Sequence, residues 1–238
     1  MKKLLIIILL LNFSLFAEKG KQTVETLPEV YAKRTVKLNK EFLLFKPSDY
    51  SEQKKFPLII FLHGSGEGGS DIQKVCKHGI PKVNTTLEDF PFISISPQAL
   101  MKPKKGWSTE DLDLLLEYAL KTYSIDKDRI YLTGMSMGGY ATWRWAAHRP
   151  STFAAIAPVC GGGKAGNASK YAQLPIWNFH GAKDKVVDIQ KSKTMVEAIT
   201  KAKGNIKFTI YPNLGHNSWT KTYDNPELYK WFLDHKRN

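Results

Sequence analysis

Cysteine is almost missing from this chain: Cys76 and Cys160 are the only two among 238 residues. A scaffold held by disulfides is therefore excluded, and neither cysteine has the neighbours or spacing of a metal site. In an oxidising compartment the two could pair, but one bridge is optional in a domain of this size, and two buried thiols fit equally well. Internal repeats, low-complexity tracts and proline-rich linkers are also missing, so nothing in the chain attaches a second module. The lysine-containing phosphate-loop pattern does not occur, which removes the usual nucleotide cradle. No apolar run reaches the roughly 20 residues of a membrane span. Acidic residues are the minority, 22 against 35 basic, giving a net charge of +13.

What is present begins with Met1 to Ala17, where Lys2 and Lys3 precede an apolar run that Asn12 and Ser14 interrupt and a small residue closes. That is the layout of a secretory signal over residues 1–17, and no nearby cysteine offers a lipid anchor. Export, to the periplasm or the medium, is the expected fate, with no stable membrane insertion once the signal is removed. Loss of Lys2 and Lys3 reduces the 35 basic residues to 33 and the charge to +11. Such a charge suits either a solvated lysine-rich exterior or attraction to an anionic polymer or surface. Because the lysines are scattered and no nucleic-acid motif accompanies them, nucleic acid is not an expected partner. Residues 18–238 are long enough for one sizeable core and are read as a single domain.

Along that domain, apolar runs alternate with helical patterns. Tyr31 to Leu38 and Glu41 to Phe45 read as an antiparallel edge. Phe56 to Leu62, FPLIIFL, is a strand buried on both faces, and Phe92 to Ser96 is another. Ser108 and Asp111 resemble a capping pair for a helix carrying Leu112, Leu115, Leu116, Ala119 and Leu120. Ile130 to Thr133, Phe153 to Val159, Pro175 to Phe179 and Ile206 to Tyr211 complete the strands. Helices are expected over Tyr140 to His148, Asp188 to Lys203 and Pro226 to His235. This is the α/β pattern of a mostly parallel sheet with helices on both faces. Gly161 to Leu174 has room for one brief helix and no lid domain, so a site at the strand ends is expected to be open to bulky or polymeric substrates.

The chemistry gathers at the strand ends. Gly134-Met135-Ser136-Met137-Gly138 matches GxSxG, in which small flanking residues let a strained strand-to-helix turn raise a serine hydroxyl above the sheet. His180-Gly181-Ala182-Lys183-Asp184 and Leu214-Gly215-His216 follow the ends of the strands Pro175 to Phe179 and Ile206 to Tyr211. In the order Ser136, Asp184, His216, the histidine would take the serine proton and the carboxylate would orient the imidazole and stabilise its cation. Asp188 and Asp224 are the rival carboxylates. His63 and His180 precede glycines and are expected to bond to backbone instead, while His78, His148 and His235 fall in helical or flanking segments. The glycine-rich loop His63 to Gly69 can turn backbone amides toward a ligand. Lys102, Lys104, Lys105 and Trp107 follow a strand end and are candidates for the substrate rim, as is Trp219; a merely solvated loop is the plainer reading of the lysines. No cofactor or metal is implied.

Over nearly all of Phe56 to Trp231 the chain resembles the α/β-hydrolase superfamily. The carrying stretches are LIIFLHGSGEGG, IYLTGMSMGGYATW, FAAIAPVCGG, NFHGAKDKVV and YPNLGHNSW. Within it the chain is similar to compact secreted esterases related to feruloyl esterases, polyhydroxybutyrate depolymerases and the phospholipase/carboxylesterase group. The resemblance implies an α/β-hydrolase fold and an oxyanion hole from the backbone amides of Ser65 and Met137. The sequence has HGSG where lipases carry HGGG. Three functions follow as expectations: a serine carboxylesterase acting on acylated plant or algal polysaccharide, with an ester as its partner; a serine peptidase or amidase of the prolyl-oligopeptidase type; and a non-catalytic binding module of the same fold.

Overall fold

The computed structural model of the chain describes residues 20–87, 90–101 and 106–237. The expected leader, residues 1–17, and Lys102, Lys104 and Lys105 lie outside the described residues.

FPLIIFL becomes β3, Phe56–Leu62, with all seven residues buried. Its side chains alternate between two cores, which is the consequence of a strand's two-residue period. Leu58, Ile60 and Leu62 face one cluster and Ile59 and Phe61 the other. Around β3 are β1 (Lys21–Thr26), β2 (Leu38–Lys46), β4 (Ile93–Ala99), β5 (Ile125–Met135), β6 (Ala155–Val159), β7 (Ile176–Gly181) and β8 (Ile206–Tyr211). They form a single sheet in the order β1-β2-β4-β3-β5-β6-β7-β8. The pairs from β4 through β3 to β8 are parallel, and β2 runs antiparallel to both β1 and β4.

The helices are α1 (Glu29–Ala32), α2 (Ile80–Val83), α3 (Thr109–Thr122), α4 (Met137–His148), α5 (Gln190–Lys201), α6 (Trp219–Tyr223) and α7 (Pro226–Leu233). One face of the sheet is covered by α3, α4 and α5 through Leu112, Leu115, Trp143, Met195 and Ile199. The other is covered by the β3–β4 connection and α7 through Ile72, Val75, Ile80, Val83, Leu228 and Phe232. The chain thus leaves β3 toward one face and β5 toward the other, although the two strands are neighbours. Connections that diverge in this way open a crevice at the carboxyl ends of the strands. Between β6 and β7 stands only a short 3-10 helix, Ala165–Tyr171, and no lid covers the crevice among the described residues.

Two local expectations are corrected. The segment Tyr31 to Leu38 is not an edge strand: Glu29–Ala32 makes one helical turn after Pro28, and the edge is Lys21–Thr26 paired with β2. KQTVET has no buried residue, so its strand character comes from backbone pairing and leaves little hydrophobic signal. Ser108 and Asp111 form only half a capping pair. The Ser108 hydroxyl accepts from the Asp111 amide at 3.2 Å, but the Asp111 carboxylate accepts instead from the backbone of Val36 at 3.0 Å and Lys37 at 2.6 Å. A buried carboxylate gains more from two amide donors than from one exposed cap.

Candidate active site

β5 ends at Met135 and α4 begins at Met137, which leaves Ser136 alone in the turn at φ 53° and ψ −115°. A non-glycine residue at that φ is strained, and the strain is contained by a hydrogen bond from the Ser136 amide to the Val159 carbonyl at 2.9 Å. Tight packing demands the flanking glycine: a Cβ on Gly138 would run into the Leu62 and His63 carbonyls. The GxSxG spacing is thus a requirement of the turn in this chain.

His216 and Asp184 arrive from the loops after β8 and β7. Those loops touch so closely at Gly181 that a Cβ there would meet the backbone of Leu214 and Gly215. His216 Nε2 stands 2.9 Å from Ser136 Oγ, and its Nδ1 stands 2.7 Å from Asp184 Oδ2. The other carboxylate oxygen of Asp184 accepts from the amides of Val186 at 2.8 Å and Val187 at 2.9 Å. Burial pushes the Asp184 carboxyl up, but the His216 hydrogen bond and the two amides outweigh it and hold the group below its ordinary value. Asp184 is therefore ionised at neutral pH, and a carboxylate on Nδ1 selects the tautomer whose Nε2 faces the serine as an acceptor.

The rival carboxylates are elsewhere engaged: Asp188 accepts from the Gln190 amide at 2.8 Å, and Asp224 closes α6. His180 bonds to the Val187 carbonyl at 2.9 Å and to the Ser192 hydroxyl at 2.8 Å, with Asp184 Oδ2 at 3.2 Å. It braces the carboxylate from behind. His63 is buried, with Nδ1 on the Gly64 carbonyl at 2.5 Å and Nε2 accepting from the Ala99 amide at 2.9 Å. That cross-link ties the end of β3 to the end of β4 and sets the course of the loop carrying Ser65.

Ser65, Ser136 and Met137 line one cavity of about 490 Å³. Met137 is the first residue of α4 and Ser65 the first of a 3-10 turn. Amides in such positions have no carbonyl in a preceding turn and point out of the helix end, the arrangement that stabilises developing negative charge.

Trp107 is corrected as a rim residue: it is 4% exposed and forms part of the wall. Its ring lies 4.7 Å from His63, and its indole donates to the His63 carbonyl at 3.3 Å, so it packs under the site instead of projecting from it. Trp219 is half-buried and meets the His216 ring edge-on at 5.2 Å. Lys37, Tyr140 and Arg144 line the same cavity and were not singled out in the sequence. Met137, Tyr140 and Arg144 recur at helical spacing, which was the signal available for two of them.

Cys76 and Cys160 are unpaired. Cys160 has a ligand atom near those of Asp184 and His216, all within 4.8 Å. Burial pushes the Cys160 thiol up to about 12, so it is neutral at physiological pH, and the other two donors are already bonded to each other. A neutral thiol is neither a strong metal ligand nor a nucleophile.

Residues 94–228, more than half of the chain, match the model of the dienelactone hydrolase family. A bifunctional acetylxylan esterase/xylanase of Neocallimastix patriciarum is 26% identical over 168 residues, which is 67% of this chain and 23% of that protein. A protein of Aspergillus terreus named "Probable feruloyl esterase C" is 26% identical over 193 residues, 77% of this chain and 69% of that one. Among solved structures, a thermostable esterase superposes with a TM-score of 0.75 at 29% identity, covering 93% of this chain and 64% of that one. The chain spans less than half the length of the first curated relatives it matches. It belongs to the dienelactone hydrolase family, within the α/β-hydrolase superfamily.

Proposed function

We propose that this member of the dienelactone hydrolase family is an exported serine carboxylesterase that removes acyl groups from polysaccharide. The observation that carries the reading is the unbroken line from Ser136 Oγ through the His216 ring to Asp184, with contacts of 2.9 and 2.7 Å. His216 Nε2 takes the Ser136 proton as Oγ attacks the ester carbonyl. The amides of Ser65 and Met137 receive the oxyanion, and His216 returns the proton to the departing alcohol. Water, deprotonated by the same nitrogen, then releases the acid and restores Ser136. The proton that leaves with the alcohol is replaced by one from water, so the Ser136–His216 pair ends each turnover as it began, and Asp184 stays ionised throughout.

The uncovered cleft supports a bulky substrate, and the acetylxylan and feruloyl esterase names of the relatives point to esters on plant cell-wall glycans. Export rests on the layout of residues 1–17. Release of acetate from acetylated xylan or of ferulate from feruloylated arabinoxylan, lost in Ser136→Ala, tests the assignment. Faster cleavage of an amide than of the ester with the same acyl group would overturn it in favour of a peptidase. Failure of Ser136 to react with a fluorophosphonate would do so in favour of a binding module.

A further inference from the structure

Resting on the serine-esterase reading, we propose that the cleft takes esters of carboxylate-bearing glycans, with Arg144 and Lys37 receiving the sugar carboxylate. Both cations line the cavity that contains Ser136. A second cavity of about 360 Å³ shares Tyr140 and Arg144 with the first and adds Lys164, Asn167 and Tyr171. The two cavities therefore meet at Arg144, each of a size that holds a ligand group. Among the described residues, three cations line them and no aspartate or glutamate does.

Three of the other four arginines are paired, Arg129 with Asp126, Arg149 with Asp113 and Arg237 with Asp128, while the exposed Arg34, which lines neither cavity, is not. Among the described residues, Arg144, Lys37 and Lys164 form no ion pair. Arg144 spends one donor on the Trp107 carbonyl at 2.7 Å, which fixes the guanidinium against the cavity wall and leaves the rest of its fork for a planar anion. Desolvation lowers the Arg144 pKa, and the Glu110 charge opposes it. Lys37 is anchored through its backbone alone. Its amide donates to the buried Asp111 carboxylate at 2.6 Å, and its carbonyl accepts from Leu100 at 2.7 Å. The Arg144 guanidinium, already held by one bond, loses less freedom on binding an anion than an unattached side chain would.

The carboxylate is assigned to the glycan because the second cavity shares Tyr140 and Arg144 with the one that holds Ser136, which offers room for a further sugar ring. The test compares two matched pairs on the purified full chain. Acetylated methyl glucuronoside against acetylated methyl xyloside places the charge on the alcohol side; the nitrophenyl half-ester of glutarate against nitrophenyl valerate places it on the acyl side. The expected result is that the glucuronoside is preferred by about tenfold or more in kcat/KM, mainly through KM, and that this ratio falls with added salt. Lys37→Gln and Arg144→Gln should each shrink the ratio, and Arg144→Lys should retain part of it, which a purely structural role in holding Trp107 would not produce. Preference confined to the glutarate pair would overturn the glycan assignment. Equal kcat/KM within both pairs, with Ser136-dependent turnover intact, would overturn the proposal and leave the esterase reading standing. Turnover that survives Ser136→Ala would instead overturn that reading.

Discussion

Two histidines, His63 and His216, both follow carboxyl ends of parallel strands, yet their surroundings make them opposites. His63 is fully buried with both nitrogens bonded to backbone, whereas the His216 side chain is 18% exposed with its nitrogens on a carboxylate and a hydroxyl. A histidine becomes a base when one nitrogen is oriented by an anion and the other faces an acidic proton. With both nitrogens on backbone, the ring is a cross-link. Burial lowers the His63 pKa to about 4, the Gly64 carbonyl opposing, so this ring stays neutral while it holds the β3 and β4 ends together.

The sharpest way to break the contrast is to remove what His216 serves. Ser136→Ala should lower kcat for a short activated ester by about 10⁴-fold or more, with the melting temperature little changed. Initial rates on the purified variant decide it, and near-parent turnover would remove His216 from the role of base.

Asp184→Asn should cost about 10³- to 10⁴-fold in kcat, because the amide no longer selects the tautomer with a free Nε2. Single-turnover kinetics would read the loss. Both substitutions act on rate far more than on folding.

His63→Ala should do the reverse. It strands the buried Ala99 amide and Gly64 carbonyl and empties the space beside Trp107, at a cost of about 2–4 kcal/mol in urea denaturation, and should lower kcat less than either triad change. Its pH signature is separable. The folded value of about 4 lies below the ordinary 6.5, so as pH falls from 6.5 toward 4 the unfolded chain takes up the proton first. The stability contributed by the neutral ring is complete above pH 6.5 and is lost progressively down to about pH 4, a change of roughly 3 kcal/mol. Denaturation curves at several pH values should show this decline in the parent and a shallower one in His63→Ala; parallel declines would refute it.

Smallest is Trp219→Ala, which removes one edge-on contact with the His216 ring. An aromatic pair of this kind contributes about 0.5–1.5 kcal/mol, so kcat/KM should fall by a few-fold to about tenfold. A loss matching that of Asp184→Asn would mean that Trp219 positions the base as strictly as the carboxylate does.

Much of the site was legible because its signals are local in the chain. The run Phe56–Leu62 is buried on both faces and had to be a central strand; the glycines around Ser136 answer to a single turn; and Ser136, Asp184 and His216 follow the ends of β5, β7 and β8 in chain order. Periodicity and turn chemistry report what a residue's immediate neighbours require. They do not report which distant segments meet. Only the tertiary structure placed Lys21–Thr26 at the sheet edge, turned Trp107 into a buried wall and sent the Asp111 carboxylate to the backbone of Lys37. Only it brought Lys37, just before β2, and Arg144, on α4, to the cavity that holds Ser136. The physical reason is the strand order: hydrogen-bonded register sets which loop ends face each other across the crevice, and that register is fixed by burying both faces of the sheet at once, a condition no single stretch of sequence carries.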